Sequence, residues 1–239
     1  MAFDLDLDKG RYRARLAVDE SDVKACQALR HLAFFGSEGV DVDRFDATWS
    51  HLMVVDEPGS LVCTLRFRTT ASAQVLSGYA AEYYGLDCVA TTGCRVVEMG
   101  RFCSDPHRND PQILRVAWAA LAQVVDRQKA QLVIGCASFP GIDPAPFARV
   151  FQQLAQHHTA PVRLLPEVTA PTAVHFTNIL PGHAVQLPMP ALLRSYLTMG
   201  GWVSDHAVVD HAMGTLHVLT VLDVAKVPPA RAKVLRALA

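Results

Sequence analysis

The chain has 239 residues, 51% of them hydrophobic and 19% charged, with a formal net charge of −1. That length holds one large domain or two small ones. The near-neutral balance argues against a surface coated for nucleic acid, and no window approaches the roughly 20 apolar residues that a membrane-spanning helix needs.

Residues 1–15 are acidic, then basic, without an apolar core, so they do not read as a signal peptide. Residues 11–17 alternate, with Tyr12, Ala14 and Leu16 on one side and Arg11, Arg13 and Arg15 on the other, the pattern of a half-buried strand. Asp19, Glu20 and Ser21 then cap a helix carrying Val23, Cys26, Leu29, Ala33 and Phe34 at helical spacing, and Gly36 ends it. A polar loop over 37–50 holds Asp41, Asp43, Asp46 and Trp49. Strands are expected over 51–56 and 61–69, joined by a Glu-Pro-Gly-Ser turn. Residues 70–93 are ambiguous, with a short helix near 80–84.

The next strand, over 95–104, is unusual. Val96, Val97, Met99 and Phe102 suit a pleated surface, yet Glu98 and Arg101 place charges in its middle. Gly100 between them suggests a bulge or a close approach by another group. A turn follows, then Asp110 as N-cap and Pro111 at the first position of a long helix to 128. Residues 131–137 read as a buried strand broken by Phe139-Pro140-Gly141, and 146–157 as an amphipathic helix. Beyond 160 the chain is richer in Pro and Thr. It carries a helix over 191–199, a hairpin of 202–209 with 216–222, and a last short helix opened by Pro228-Pro229. The sum is a single α/β domain, a mixed central sheet flanked by helices, with a C-terminal extension from about 160.

The six cysteines, at 26, 63, 88, 94, 103 and 136, lack C-x-x-C spacing and read as reduced, buried thiols of a cytoplasmic protein. Cys103 and Cys136 have no base at nucleophile-like spacing, which favours packing over an acyl-enzyme role. No histidines show metal-ligand spacing, so no metal is expected.

The element order, with a bulge-prone strand feeding a helix, resembles the GNAT N-acyltransferase fold. Three local patterns resemble the acyl-homoserine-lactone synthases and their ornithine-acylating relatives: F-D-x-x-x-x-H-L-M-V at 45–54, C-T-L-R-F at 63–67 and V-E-M-G-R-F at 97–102. The runs G-C-A-S-F-P-G-I-D-P at 135–144 and L-L-R-S-Y-L-T-M-G-G-W-V-S-D-H-A-V-V-D at 192–210 are most similar to the ornithine-acyl-carrier-protein N-acyltransferases of ornithine lipid synthesis. The resemblance implies transfer of a 3-hydroxyacyl group from acyl carrier protein to the α-amine of L-ornithine. It also implies no cofactor beyond the carrier's phosphopantetheine arm, and a cytoplasmic enzyme with peripheral contact at the inner membrane face. Coenzyme-A-dependent members carry a Gly-rich loop before the long helix. Here the segment is His107-Arg108-Asn109-Asp110-Pro111, without glycine, which suits a single phosphate better than a pyrophosphate.

Within that resemblance each residue carries a role and a plainer alternative. Glu98 is the candidate to take the proton of the incoming ammonium; otherwise it only pairs with Arg66 or Arg101. His51 is a candidate proton relay or a hydrogen-bonded structural residue. Asp43 and Asp46 would hold the cationic acceptor, or form a solvated acidic loop. Arg66 and Arg101 would bind its carboxylate, or hold the network in shape. Ser138 would donate to the leaving sulfur, or form a turn. Backbone N–H groups near Gly100 would hold the oxyanion. Arg108 and Arg115 would meet the donor's phosphate and the acidic carrier. Two alternatives remain open at this level: the same fold acylating glutamine, glycine or S-adenosylmethionine, and a non-catalytic protein that binds acyl carrier or lipid.

Overall fold

A computed structural model describes residues 5–179 and 185–238. In chain order it contains strands β1 (Asp6–Lys9) and β2 (Tyr12–Leu16), helix α1 (Glu20–Phe35), and strands β3 (Ser50–Asp56) and β4 (Leu61–Ala71). Two short 3₁₀ turns, strand β5 (Tyr84–Gly85) and helix α2 (Asp87–Ala90) lead into β6 (Arg95–Ser104), α3 (Pro111–Gln128) and β7 (Leu132–Pro140). Then come α4 (Ala148–His157), β8 (Glu167–Val168), β9 (Ala173–His175), α5 (Ala191–Thr198), β10 (Trp202–Val203), β11 (His206–Asp210), β12 (Thr215–Asp223) and α6 (Pro229–Leu238).

The chain divides into two compact α/β units. The first holds residues 1–69, 99–130 and 229–239, the second 70–98 and 131–228, so β6 passes from one to the other after Glu98. In the first unit β1, β2, β3 and β4 pair consecutively and antiparallel. Helix α3 packs on β2 and β3, and α1 on β3. The alternation of β2 works as expected: Tyr12 and Ala14 are buried while Arg13 is exposed. Strands β3 and β4 are buried almost throughout, as interior strands are. Asp19 caps α1 by accepting from the Asp22 N–H at 2.9 Å, and Gly36 closes it in the left-handed conformation at φ 69°. Asp110 and Pro111 start α3 where the sequence places them.

In the second unit β7 and β12 form a long antiparallel ladder, β11 pairs with β12, and β9 pairs with β11. Aromatic side chains fill part of its core: Phe139 meets Phe147 and Phe151, and Phe151 stacks on Phe176.

Three expectations change. Strand β1 was not foreseen; Leu5 and Leu7 are buried and Asp6 and Asp8 exposed, a short alternation hidden in an acidic run. Strand β7 does not break at Phe139. It continues to Pro140, which pairs with Thr215, and only Gly141, at φ 82°, turns the chain away. The expected strand over 202–209 is two strands. Val203 faces Thr220 and Val208 faces His217, so five steps on one side span three on the other. The Ser204 hydroxyl fills this bulge, accepting from Leu219 N–H at 3.2 Å and donating to the His206 carbonyl at 2.7 Å. All six cysteines are free thiols. No helix among the described residues is long and apolar enough to cross a membrane.

Two consequences can be measured. Asp19→Ala removes one cap hydrogen bond, and about 1 kcal/mol of stability should go with it in urea unfolding. His217 is buried, and burial pushes its pKa down to about 4, against the pull of Asp210. Its imidazole is therefore neutral when folded and charges on unfolding near pH 6.5. The unfolded chain binds the extra proton, so this contribution is complete above pH 6.5 and fades as pH falls toward 4, by about 3 kcal/mol in all. Unfolding midpoints between pH 7.5 and 4.5 (about that range) should fall less steeply in His217→Gln than in the unsubstituted protein.

Candidate functional site

The first unit contains a compact set of buried charges. Arg30, on the face of α1 that also carries Cys26, is 1% exposed. Its Nε donates to Asp41 at 2.7 Å, and its two terminal nitrogens donate to the two oxygens of Asp46 at 2.7 and 3.0 Å. One of them also reaches the Asp41 carbonyl. Arg66, from β4, forks onto Asp43 with two bonds of 2.5 Å and reaches Asp46 at 2.7 Å. Arg101, from β6, donates to Asp41 at 2.9 Å and lies 3.3 Å from Asp43. Gln27 completes Asp46 at 3.1 Å. Three guanidinium groups thus meet three carboxylates, and the formal charges cancel. Burial alone would raise the pKa values of Asp43 and Asp46, but hydrogen bonds and charges outweigh it: Arg66 lowers that of Asp43, and Arg30 with Arg66 holds Asp46 well below the usual carboxylate range.

The 37–49 segment folds around these bonds. Asp43 accepts from the Phe45 N–H at 2.8 Å, and Asp46 from the Asp43 N–H at 3.2 Å. Phe45 and Trp49 meet edge to face at 5.5 Å, and the Arg66 guanidinium sits 5.5 and 5.3 Å from their ring centres. His51, opposite Arg66 in the β3–β4 ladder, donates from Nε2 to the Asp46 carbonyl at 3.1 Å. The proton is then on Nε2, which leaves Nδ1 as a buried acceptor with no hydrogen-bond partner among the described residues. Burial lowers the His51 pKa, so the ring is neutral near pH 7.

The two charges of β6 have different surroundings. Glu98 is 1% exposed and accepts the Ala80 N–H at 2.8 Å, which ties the 3₁₀ turn Ala80–Glu82 to the strand within the second unit. Arg101 has φ 53°, left-handed backbone in the middle of a strand and unusual for a side chain other than glycine. The irregularity expected at Gly100 is therefore centred one residue later. Gly100 itself is not crowded. It is buried, yet a methyl group added there would find nothing closer than the Trp49 ring at 3.9 Å.

The remaining sequence candidates fall as follows. Ser138 lies in β7, exposed and opposite His217, so it is a strand residue and not a turn former. Arg108 is 3.1 Å from the buried Asp56 and 3.8 Å from Asp105, engaged in its own loop. Arg115 is exposed on α3. Asp110 caps α3 through the Gln112 N–H at 2.8 Å and also accepts from Arg11 at 2.7 Å and Tyr12 at 2.8 Å, so a carboxylate already occupies that helix start. Burial raises the Cys103 thiol's pKa, consistent with packing.

Sequence reasoning passed over Arg30, Asp41 as an ion-pair partner, and a buried pair in the second unit. There the Tyr84 hydroxyl contacts His217 Nδ1 at 3.0 Å and donates to the His217 carbonyl at 2.8 Å. Arg30 had a signal: it stands one helical turn after Cys26 on the apolar stripe, where a lone charge demands counter-charges. Arg30→Met leaves the buried Asp41 and Asp46 one cation short, with Arg101 still beside the first and Arg66 beside the second. A loss of about 3–5 kcal/mol in chemical unfolding is expected.

Comparison with known proteins agrees with this architecture. Residues 29–119 match the acetyltransferase (GNAT) domain model. The chain is 29% identical over 232 residues to an L-ornithine N(alpha)-acyltransferase of Rhodobacter capsulatus, covering 89% of this chain and 90% of that one. It is 28% identical over 244 residues to the Brucella abortus protein of the same name, covering 91% and 86%. Among solved structures it superposes on FeeM, an N-acyl amino acid synthase from uncultured soil microbes, with a TM-score of 0.56 at 12% identity, covering 93% of this chain and 99% of that one. The chain is a GNAT-fold N-acyltransferase, similar along about nine tenths of its length to the L-ornithine N(alpha)-acyltransferases.

Proposed function

We propose that this protein transfers a 3-hydroxyacyl group from acyl carrier protein to the α-amine of L-ornithine, giving lyso-ornithine lipid. The similarity to proteins named for that acceptor, extending over 89% of the chain, carries the reading. The carrier-protein donor is supported by the start of α3. Coenzyme A would bring a pyrophosphate, and the Asp110 carboxylate stands where its anion would dock. A carrier-bound donor brings a single phosphate, for which the exposed Arg115 is a candidate partner.

The chemistry asks little for the leaving group, since a thiol of pKa ~8.5 departs readily as thiolate. The amine is the demanding partner, because it arrives protonated. Glu98 is the proposed base. It is an acid buried in a strand, and the Ala80 backbone amide donates to it. It takes the ammonium proton, the free amine attacks the thioester carbonyl, and the tetrahedral oxyanion collapses with loss of the carrier thiolate, which takes the remaining amine proton and leaves as the free thiol. The strand backbone at Gly100 and Arg101 is the proposed oxyanion donor, supported by its left-handed break at Arg101. Asp43, the more exposed of the two aspartates on Arg66, is the candidate for the acceptor's second ammonium. Asp46, buried among Arg30, Arg66 and Gln27, acts by holding that geometry. His51 keeps the segment in place through the Asp46 carbonyl and has an acceptor nitrogen free to relay a proton.

Free-thiol release tests this directly, with 3-hydroxyacyl carrier protein or the coenzyme A thioester as donor and ornithine, glutamine, glycine or S-adenosylmethionine as acceptor. Release with carrier protein and ornithine alone is expected. Release with another amine would replace the acceptor, and tight donor binding without release would remove the activity altogether. Glu98→Gln should lower turnover ~10²-fold or more while the circular dichroism and unfolding curve stay in place. Gly100→Ala, for which the fold has room, should leave stability near that of the unsubstituted protein and still slow the reaction.

A further inference from the structure

The bulge between β10 and β11 has a second effect, away from the residues assigned to acyl transfer. His175 on β9 and His206 on β11 are directly opposed in the antiparallel ladder, with ring centres 5.6 Å apart. Asp205, thrown out of the β12 ladder by the bulge, points a carboxylate at both. One oxygen is 2.7 Å from His206 Nδ1 and the other 3.7 Å from His175 Nδ1. One donor atom from each residue lies within 4.8 Å of the others. The backbone holds this arrangement. The Asp205 carbonyl accepts the Phe176 N–H at 3.0 Å, and Ser204 bonds across to the His206 carbonyl.

Two imidazole nitrogens and a carboxylate oxygen are the donors of zinc and its neighbours, cobalt and nickel. Magnesium and calcium prefer all-oxygen shells. Strand pairing fixes both rings beforehand, so little side-chain freedom remains to be lost on binding. The His206 side chain is fully buried, whereas that of His175 is 46% exposed, which leaves a path for the ion and a position for water. Spacing in the sequence could not show this set, because the two histidines are brought together only by the β9–β11 ladder.

We propose that His175, Asp205 and His206 bind one divalent cation of the zinc class, which staples the three-residue strand β9 to β11. The cation's role is structural and separate from acyl transfer.

The test uses the full chain, stripped with a chelator and titrated with zinc chloride, with magnesium chloride as control. Calorimetry should show one saturable zinc ion per chain at micromolar concentration, and the melting temperature should rise by several degrees. Cobalt at the same site should give a visible absorption band that zinc removes. His175→Ala, at a half-exposed position that the fold tolerates, should lose the binding, and so should Asp205→Asn. His157→Ala, which changes the neighbouring His157–His158 surface pair, should retain it. Absence of saturable zinc binding overturns the proposal. So does binding that survives His175→Ala, or an equal response to magnesium. In any of those outcomes Asp205 and His206 form an ordinary hydrogen-bonded pair.

Discussion

The first unit depends on three buried guanidinium groups meeting three carboxylates. Ions taken out of water each cost several kcal/mol, and only close, well-directed partners offset this. The set is therefore restrictive: it tolerates one arrangement of α1, β4, β6 and the 37–49 segment, and misplacing any member leaves a bare charge. Such a network contributes little to net stability compared with an apolar core, but it specifies position. It turns an acidic loop, which by composition would be solvated, into a fixed surface whose one more accessible carboxylate is Asp43.

Strand β6 shows a related use of local cost. A left-handed residue in a strand costs roughly 1–3 kcal/mol and persists only where its surroundings enforce it. Here the ion pairs of Arg101 with Asp41 and Asp43 do the enforcing. The backbone irregularity and the charge network are thus one device: the side chain that closes the network is carried by the residue that breaks the strand. Three residues earlier, Glu98 is buried and oriented by a backbone amide, not left to solvent.

Much of this was readable from residue types. Asp19 and Gly36 bound α1, Asp110 and Pro111 start α3, and the alternation of 11–17 gives β2, because caps and periodicity are local physics. Glu98 and Arg101 stood out because charges in an apolar strand need a reason. What escaped was set by pairing over long separations. Arg30 stands on the apolar stripe of α1, but which carboxylates answer it is decided only where Asp41 and Asp46 fold back on it. His175 meets His206 only through sheet register, and Tyr84 meets His217 only where β5, paired with β8, packs on β12. The bulge at Ser204 escaped because a single hydroxyl bridging two strands leaves no periodic trace in the sequence. The left-handed backbone moved from Gly100 to Arg101 because ion pairs outweighed glycine's intrinsic freedom.

Amide hydrogen exchange across 37–49, compared between the unsubstituted protein and Arg66→Gln, tests the central claim most directly. The Asp43, Phe45 and Asp46 amides are held by bonds within the segment that the network fixes. Their exchange should quicken by roughly 10²-fold when Arg66 loses its charge, with protection in β7 and β12 unchanged. Equal protection in the two proteins would mean that the loop holds its shape without the network, and the account would be wrong.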